Sequence, residues 1–287
     1  GFLGENLIKY LKKTCNFYYL LNKRKPKKLS VKSFITYKSK KYENIEEFII
    51  KNSINTIIHC AGLTNIEFCE QNPKKCFEVN YELTKYLTNI SKRLKLYMVF
   101  ISSDHLFKGN EKIYTEVSKY SPQNNYAASK VKCEKFIKKN LNNFLIIRTN
   151  FFGFQYKKNK KNFFNFIYKN LKNNSKVKLF SDVYYTPISI FTLSKTIKIM
   201  LNKKLTGIYN LSSDTSISKF EFGKLVSKIF KFNFKLINKI SIKDLNLVKR
   251  PHNMSLDNTK IKKELNIKKI NIYDEIKMIK KDFNANR

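Results

Sequence analysis

Apolar and polar positions along the first half of the chain alternate between helical and extended patterns. Helical spacing covers residues 5–13, 44–51, 73–93 and 126–139. Short apolar, β-rich runs lie between them, at residues 17–21, 55–60, 96–101 and 144–148. Strands that alternate with helices predict an α/β fold with a parallel sheet and helices on both faces. Ligands bind such sheets in the loops that follow the strands.

The pattern is less regular beyond residue 150. It predicts five helices, at residues 160–171, 191–201, 218–230, 256–265 and 272–283, and two strands, at 177–180 and 208–211. We therefore expect two closely joined domains. We expect residues 1–150 to form one domain around the parallel sheet, and residues 151–287 to form a smaller region that partly returns to the sheet.

The chain opens on a glycine turn that leads into a helix. Two glycines three positions apart let a backbone approach a pyrophosphate, and a helix N-terminus favours its charge. This pattern predicts a dinucleotide site and a Rossmann-like, doubly wound sheet. We therefore expect residues 1–150 to be an NAD(P)-binding domain and residues 151–287 to be a substrate-binding region. Because such a turn normally follows a strand, we expect the first strand to be missing. The predicted pyrophosphate contacts are Gly1, Phe2, Leu3 and Gly4.

The predicted strand at 17–21 would be the second strand of such a sheet if the first is missing. It is followed by two basic residues, Lys23 and Arg24, at the point where an NAD-preferring fold places an acid. A basic side chain at this point suits the 2′-phosphate of NADP. The sequence therefore favours NADPH as cofactor, with NADH as the alternative.

Charge and cysteine content narrow the class of protein. The formal net charge is +37, yet only five of the 58 basic residues are arginine. Bidentate recognition of phosphates and bases favours arginine, so the charge predicts a lysine-coated surface rather than a nucleic-acid-binding protein. The five cysteines are scattered, with no metal-ligand spacing, so we expect no metal site. Reduced thiols, no signal peptide and no membrane span predict a cytoplasmic protein.

A tyrosine and a lysine at the start of one predicted helix supply a candidate proton-transfer unit. Tyr126 and Lys130 are four residues apart, so a helix places them on one face. A free phenol has a pKa of about 10, which a nearby lysine cation lowers. Ser103, after the apolar run at 96–101, could hydrogen-bond the same substrate oxygen. The spacing alone is weak, since the chain has 17 tyrosines and many lysines.

A set of motifs in order along the chain makes the pair more specific. These are residues 99–109 (VFISSDHLFKG), 114–116 (YTE), 121–130 (SPQNNYAASK), 147–153 (IRTNFFG), 186–187 (TP), 207–211 (GIYNL), 250–251 (RP) and 255–257 (SLD). Together they resemble the extended short-chain dehydrogenases/reductases, and among them the dTDP-4-dehydrorhamnose reductase-like sugar-nucleotide reductases. The resemblance spans essentially the whole chain. His105 and the segment at 150–152 depart from the usual pattern near the sugar, so the sugar itself stays open.

The resemblance implies a role for each matching residue. Tyr126 would protonate the C4 oxygen of a 4-keto sugar. Lys130 would lower the pKa of Tyr126 and hold the nicotinamide ribose, and Ser103 would polarise the sugar carbonyl. Further implied cofactor contacts are Cys60, Ala61, Gly62, Asn80 and Ser102. Implied substrate contacts are Thr64, Asp104, His105, Asn150, Phe151 and Arg250, with Arg250 on the substrate diphosphate.

The implied activity is NADPH-dependent reduction of a nucleotide-linked 4-keto deoxysugar in polysaccharide biosynthesis, with a possible homodimer as the assembly. Two alternatives stay open. One is a non-catalytic NADP-binding protein resembling the regulatory subunit of methionine adenosyltransferase, and the other is a sugar-nucleotide epimerase.

Overall fold

The computed structural model describes residues 1–11, 15–21, 33–36, 43–155 and 162–285. Its α-helices are α1 Phe2–Leu11, α2 Glu43–Lys51, α3 Ile66–Gln71, α4 Pro73–Phe77, α5 Leu83–Arg93, α6 Asn125–Asn140, α7 Phe163–Lys172, α8 Ile190–Asn202, α9 Lys219–Phe230, α10 Thr259–Leu265 and α11 Ile272–Ala285. Its strands are β1 Tyr18–Leu21, β2 Ser33–Thr36, β3 Thr56–His59, β4 Tyr97–Ile101, β5 Phe144–Arg148, β6 Phe151–Phe152, β7 Val177–Phe180, β8 Tyr184–Tyr185, β9 Ile188–Ser189, β10 Gly207–Asn210, β11 Ile217–Ser218 and β12 Ile237–Ile240.

Four parallel strands form the central sheet, in the order β10-β5-β4-β3. Side chains alternate across β4: Met98 and Phe100 pack into one apolar cluster, and Val99 and Ile101 pack into another. Both faces of β4 are therefore buried, as in doubly wound sheets, which explains why its sequence is a continuous apolar run. The predicted α/β architecture is confirmed.

Two helical layers cover this sheet. Residues of α5 and α6, such as Ile90 and Ile137, share the cluster of Met98 and Phe100. On the other face, α1 packs against α8, and Leu7 belongs to the cluster of Val99. The strand β10, from the second half of the chain, pairs with β5 and so returns to the sheet. The division at residue 150 stays a prediction.

A second, two-stranded parallel sheet joins β1 to β2. Within the described ranges, no strand pairing connects this pair to the central sheet. Three further strand pairs, β6-β9, β7-β12 and β8-β11, lie in the second half of the chain and were not predicted as pairs. No helix in the described parts is both long and apolar enough to cross a membrane.

Two helical segments differ from the sequence prediction in ways that affect the site. The predicted helix at 73–93 is interrupted by a π-helical turn at Glu78–Glu82. The first helix begins at Phe2 rather than at residue 5, so Gly4 lies inside its first turn and not in a preceding loop. The predicted glycine turn is therefore wrong at Gly4, although the helix N-terminus that favours an anion is present.

Candidate active site

The helix α6 brings the three predicted catalytic side chains together. Asn124 caps this helix by accepting a hydrogen bond from the backbone N–H of Ala127 (2.9 Å), which places Tyr126 in the first turn. One turn later, the Lys130 ammonium donates to the carbonyl of Ile101 at the end of β4 (2.9 Å). Ser103 is the second residue after β4, and its hydroxyl interacts with the Tyr126 phenol. The three side chains thus meet at the carboxyl edge of the sheet.

Burial sets the charge state of the proposed acid. Tyr126 is 6% exposed, and this burial raises its pKa, while the hydrogen bond with Ser103 acts in the lowering direction. The pKa of Tyr126 is therefore raised overall, whereas we expected Lys130 to lower it. Burial also lowers the pKa of Lys130 itself. A phenol that keeps its proton at neutral pH is suited to donate it. The lowering of the Tyr126 pKa by Lys130 stays a prediction.

The loop after β3 presents exposed backbone beside Lys130. Ala61, Gly62 and Thr64 are exposed and Cys60 is half-buried. A Cβ atom built on Gly62 would lie 3.2 Å from Asn80 Oδ1 and 3.6 Å from Lys130 Nζ. A side chain here would press against both groups, so glycine keeps the surface open for a flat ligand. This open backbone fits the predicted nicotinamide half of a dinucleotide.

Asn80 holds that loop from behind instead of facing a ligand. It lies in the π-helical turn and is 2% exposed. Its carboxamide accepts from the Leu63 N–H (2.7 Å) and donates to the Leu63 carbonyl (3.1 Å) and to Ser129 Oγ (2.9 Å). Because these bonds use the side chain's hydrogen-bonding groups, the structure gives Asn80 a positioning role and does not support the predicted cofactor contact. π-Helical turns often occur at functional sites.

Ser102 differs from its prediction in a similar way. Its hydroxyl donates to the carboxylate of Glu134, a fully buried residue one turn beyond Lys130. Glu134 also forms a bidentate ion pair with the buried Arg148, at distances of 2.8–3.2 Å. Tyr120 donates to the same carboxylate (2.7 Å). This network joins α6 to the ends of β4 and β5, so Ser102 anchors the strand end rather than offering a free hydroxyl to a cofactor.

Three of the predicted substrate residues lie together on the loops after β4 and β5. The Asn150 amide donates to Asp104 (2.7 Å), and His105 Nε2 lies 3.9 Å from the same carboxylate. The His105 ring makes an edge contact with the Tyr126 ring, with centroids 5.8 Å apart. Burial lowers the pKa of His105, against the raising effect of Asp104. A neutral imidazole therefore lies beside the proposed acid.

Arg250 reaches the same area from the other half of the chain. It pairs with Glu67 on α3 and donates to the Val248 carbonyl (3.0 Å). The positive charge of Arg250 acts to lower the pKa of His105, whose ring contacts the Tyr126 ring. A substrate diphosphate would have to compete with Glu67 for this guanidinium.

The remaining predicted residues divide into two groups. The Phe151 ring packs against Phe2 of α1, with centroids 5.9 Å apart, so these two predicted contacts form one apolar surface. Leu3 is buried in the core, which does not support a direct cofactor contact by its side chain. Lys23 and Arg24 lie outside the described residues.

Comparisons with known proteins identify the family. A family model described as RmlD substrate binding domain matches residues 1–284. The chain belongs to the RmlD substrate binding domain family. This confirms the family and the enzyme class, a sugar-nucleotide oxidoreductase, that the motifs predicted.

Individual members of this group are distant in sequence. A dTDP-4-dehydrorhamnose reductase of Aggregatibacter actinomycetemcomitans is 25% identical over 226 residues, covering 74% of this chain and 76% of that protein. A probable low-salt glycan biosynthesis reductase of Haloferax volcanii is 22% identical over 245 residues, covering 84% and 82%. The crystal structure of a hypothetical dTDP-4-dehydrorhamnose reductase from Sulfolobus tokodaii has a TM-score of 0.80 at 28% identity, covering 92% and 91%.

Sequence reasoning missed two residues, Lys219 and Tyr185, that lie within electrostatic range of Asp104. Lys219 begins α9, and its ammonium lies 4.0 Å from the centroid of the Tyr185 ring in β8. The capping-box pattern of Ser218 and Glu221 could have located the start of that helix. The direction of the Lys219 side chain, the first of α9, depends on the β8-β11 pairing, which the sequence does not reveal.

Within the described residues, no group of three or more histidine, cysteine, aspartate or glutamate side chains is arranged to hold a metal ion.

Proposed function

We propose that this protein reduces the 4-keto group of a nucleotide-linked deoxysugar with NADPH, and that Tyr126 is the general acid. The observation that carries the proposal is the convergence of Tyr126, Ser103 and Lys130 at the carboxyl edge of the sheet, beside the open loop at Gly62. A dTDP-4-dehydrorhamnose reductase of Bacillus anthracis, solved in complex with NADP, shares the fold at a TM-score of 0.80 and 21% identity.

The residues present fit a dinucleotide. Gly1 and Gly4 at the start of α1 would hold the pyrophosphate, and Ala61, Gly62 and Lys130 would hold the nicotinamide half. When bound, NADPH supplies the hydride. The alternative NADH stays open, because the basic residues expected at a 2′-phosphate lie outside the described residues.

Proton transfer follows from the side chains. As the carbonyl oxygen gains negative charge, the Tyr126 hydroxyl transfers its proton to it, and Ser103 donates a second hydrogen bond. The Lys130 cation, one helical turn away, stabilises the tyrosinate that remains. Burial raises the pKa of Tyr126, which keeps the phenol protonated before the reaction.

The test is NADPH oxidation by the purified protein with a dTDP-linked 4-keto-6-deoxyhexose. Tyr126→Phe should lower kcat by about 10²–10⁴-fold, the usual contribution of general acid–base catalysis, while the Kd for NADPH changes little. Tyr273→Phe, a tyrosine of α11 away from the site, is the matched control and should keep full activity. Equal activity of Tyr126→Phe and the control would refute the assignment.

A second candidate function rests on another relative. The methionine adenosyltransferase 2 subunit beta of Xenopus laevis is 21% identical over 215 residues, and the match covers 73% of this chain and 64% of that protein. A non-catalytic, NADP-binding role would be favoured if the wild-type protein bound NADPH tightly but oxidised it with none of the 4-keto sugar nucleotides offered.

A further inference from the structure

Two polar groups from the second half of the chain lie beside the catalytic cluster and take no part in proton transfer. They are the Lys219 ammonium and the Tyr185 hydroxyl. We propose that these two groups bind hydroxyl groups of the substrate's sugar and select a neutral sugar over a carboxylated one. This inference rests on the proposed function, because it names the substrate class of the same site.

Local structure explains why Lys219 faces the site. Ser218 ends β11 and caps α9, and the Lys219 backbone N–H donates to the Val183 carbonyl (3.1 Å), which fixes the first turn against β8. The ammonium lies 4.0 Å from the Tyr185 ring centroid and 4.5 Å from that of Phe163. A lysine held over two aromatic faces has a defined position.

Unpartnered polar atoms indicate a ligand here. Tyr185 is 2% exposed, yet its hydroxyl has no hydrogen-bond partner among the described residues. The same holds for His105 Nδ1 and for Thr149 Oγ1, which lie on the loops after β4 and β5. A buried polar group without a hydrogen-bond partner destabilises the folded protein. A sugar, with several hydroxyls that both donate and accept, would satisfy such a set.

Charge balance indicates which sugar. The charge of Asp104 acts to raise the pKa of both Lys219 and Tyr185, so this carboxylate lies within electrostatic range of both groups. Arg250 adds a second cation but is already paired with Glu67. Since each cation has a carboxylate neighbour, the region has little net charge to attract a uronate, and its donors and acceptors suit neutral hydroxyls.

The titration of Lys219 supports this arrangement. Burial lowers its pKa to about 8, Asp104 acts to raise it and Arg250 acts to lower it. The charged groups that face Lys219 are therefore Asp104 and Arg250, beside the Tyr185 phenol and the Phe163 ring. Because the ammonium loses its proton above pH 8, donation to a substrate hydroxyl should weaken there.

The experiment compares two variants with matched controls. Tyr185→Phe and Lys219→Met remove the two groups, while Tyr184→Phe and Lys224→Met change an exposed tyrosine of β8 and an exposed lysine of α9. The test variants should raise KM for the 4-keto sugar nucleotide by about tenfold to a hundredfold, with kcat within a few fold. The wild-type KM should rise as the pH passes about 8, and Lys219→Met should lose this rise.

Binding measurements separate this inference from the proposed function. We expect the test variants to weaken binding of dTDP-rhamnose, measured by calorimetry, and to leave binding of dTDP itself unchanged. Wild-type protein should bind UDP-glucose more tightly than UDP-glucuronate. Equal losses for dTDP and dTDP-rhamnose, no loss in either test variant, or tighter binding of UDP-glucuronate would overturn the inference. If the wild type binds these sugar nucleotides as expected but reduces no 4-keto sugar, only the proposed reductase activity fails.

Discussion

Removing the carboxylate of Glu134 should be among the most destabilising single changes near the active site. Glu134 and Arg148 are 0% and 1% exposed, and three N–H···O contacts of 2.8–3.2 Å join them. In Glu134→Ala the guanidinium stays buried without its counter-ion and keeps only neutral partners, such as the Glu116 carbonyl at 3.1 Å. Breaking a buried pair in this way costs about 3–5 kcal/mol. That is a large part of the roughly 5–15 kcal/mol that stabilises a typical protein.

Urea unfolding followed by circular dichroism measures this loss. The matched control is Glu46→Ala, which breaks the solvent-exposed pair with Arg93 and should lower the free energy of unfolding far less than Glu134→Ala. The double variant Glu134→Leu/Arg148→Met removes both buried charges, and we expect it to recover most of the lost free energy of unfolding. If Glu134→Ala were no more destabilising than Glu46→Ala, or if the double variant lost as much as the single one, the reasoning would be refuted.

Three further predictions concern the loops around the site and its pH dependence. Gly62→Ala should weaken NADPH binding by about tenfold, because its Cβ would lie 3.2 Å from Asn80 Oδ1. Gly109→Ala should raise the KM for substrate and lower the melting temperature, because Gly109 has φ +92° and a Cβ there would lie 2.7 Å from the Pro251 Cα atom. Burial, and then the charge of Lys130, lowers the pKa of His59 to about 3. The free energy of unfolding should therefore fall by about 1.4 kcal/mol per pH unit as the pH drops from about 6.5 towards 3, since only the unfolded state takes up the proton.

Each of these has a clear contrary outcome. Unchanged NADPH affinity in Gly62→Ala, measured by fluorescence titration, would mean that the loop at 60–64 is not part of the cofactor site. A Gly109→Ala protein with normal melting temperature would contradict the strained backbone. For His59, the slope of stability with pH should become shallower in His59→Asn, and an unchanged slope would assign the acid sensitivity to other groups.

The strands of the central sheet could be predicted from the sequence because they are short, continuous apolar runs between helical patterns. The sequence was also sufficient for the proximity of Tyr126, Lys130 and Ser103, since one helix and one strand end place them. It failed where position depends on distant pairing. The strands β8 and β11 have two residues each, and their pairing places Lys219 over the Tyr185 ring. Glu134 could not be recognised as buried, because a glutamate among lysines on α6 has the pattern of a solvent-exposed helix face.

The π-helical turn at Glu78–Glu82 lets the consecutive helices α4 and α5 pack against two different surfaces. Before the turn, Cys76 of α4 packs in the small cluster around Tyr126. After it, Leu83 and Leu87 of α5 pack into the core beneath the sheet. Because the π-helical turn is wider than an α-helical one, it rotates α5 about the helix axis relative to α4. The apolar residues of the two helices therefore need not lie on the same side of the helix. Deleting a single residue here would restore an ordinary α-helix of nearly the same length and would rotate α5 relative to α4, so Cys76 and Leu87 could not both keep their present contacts.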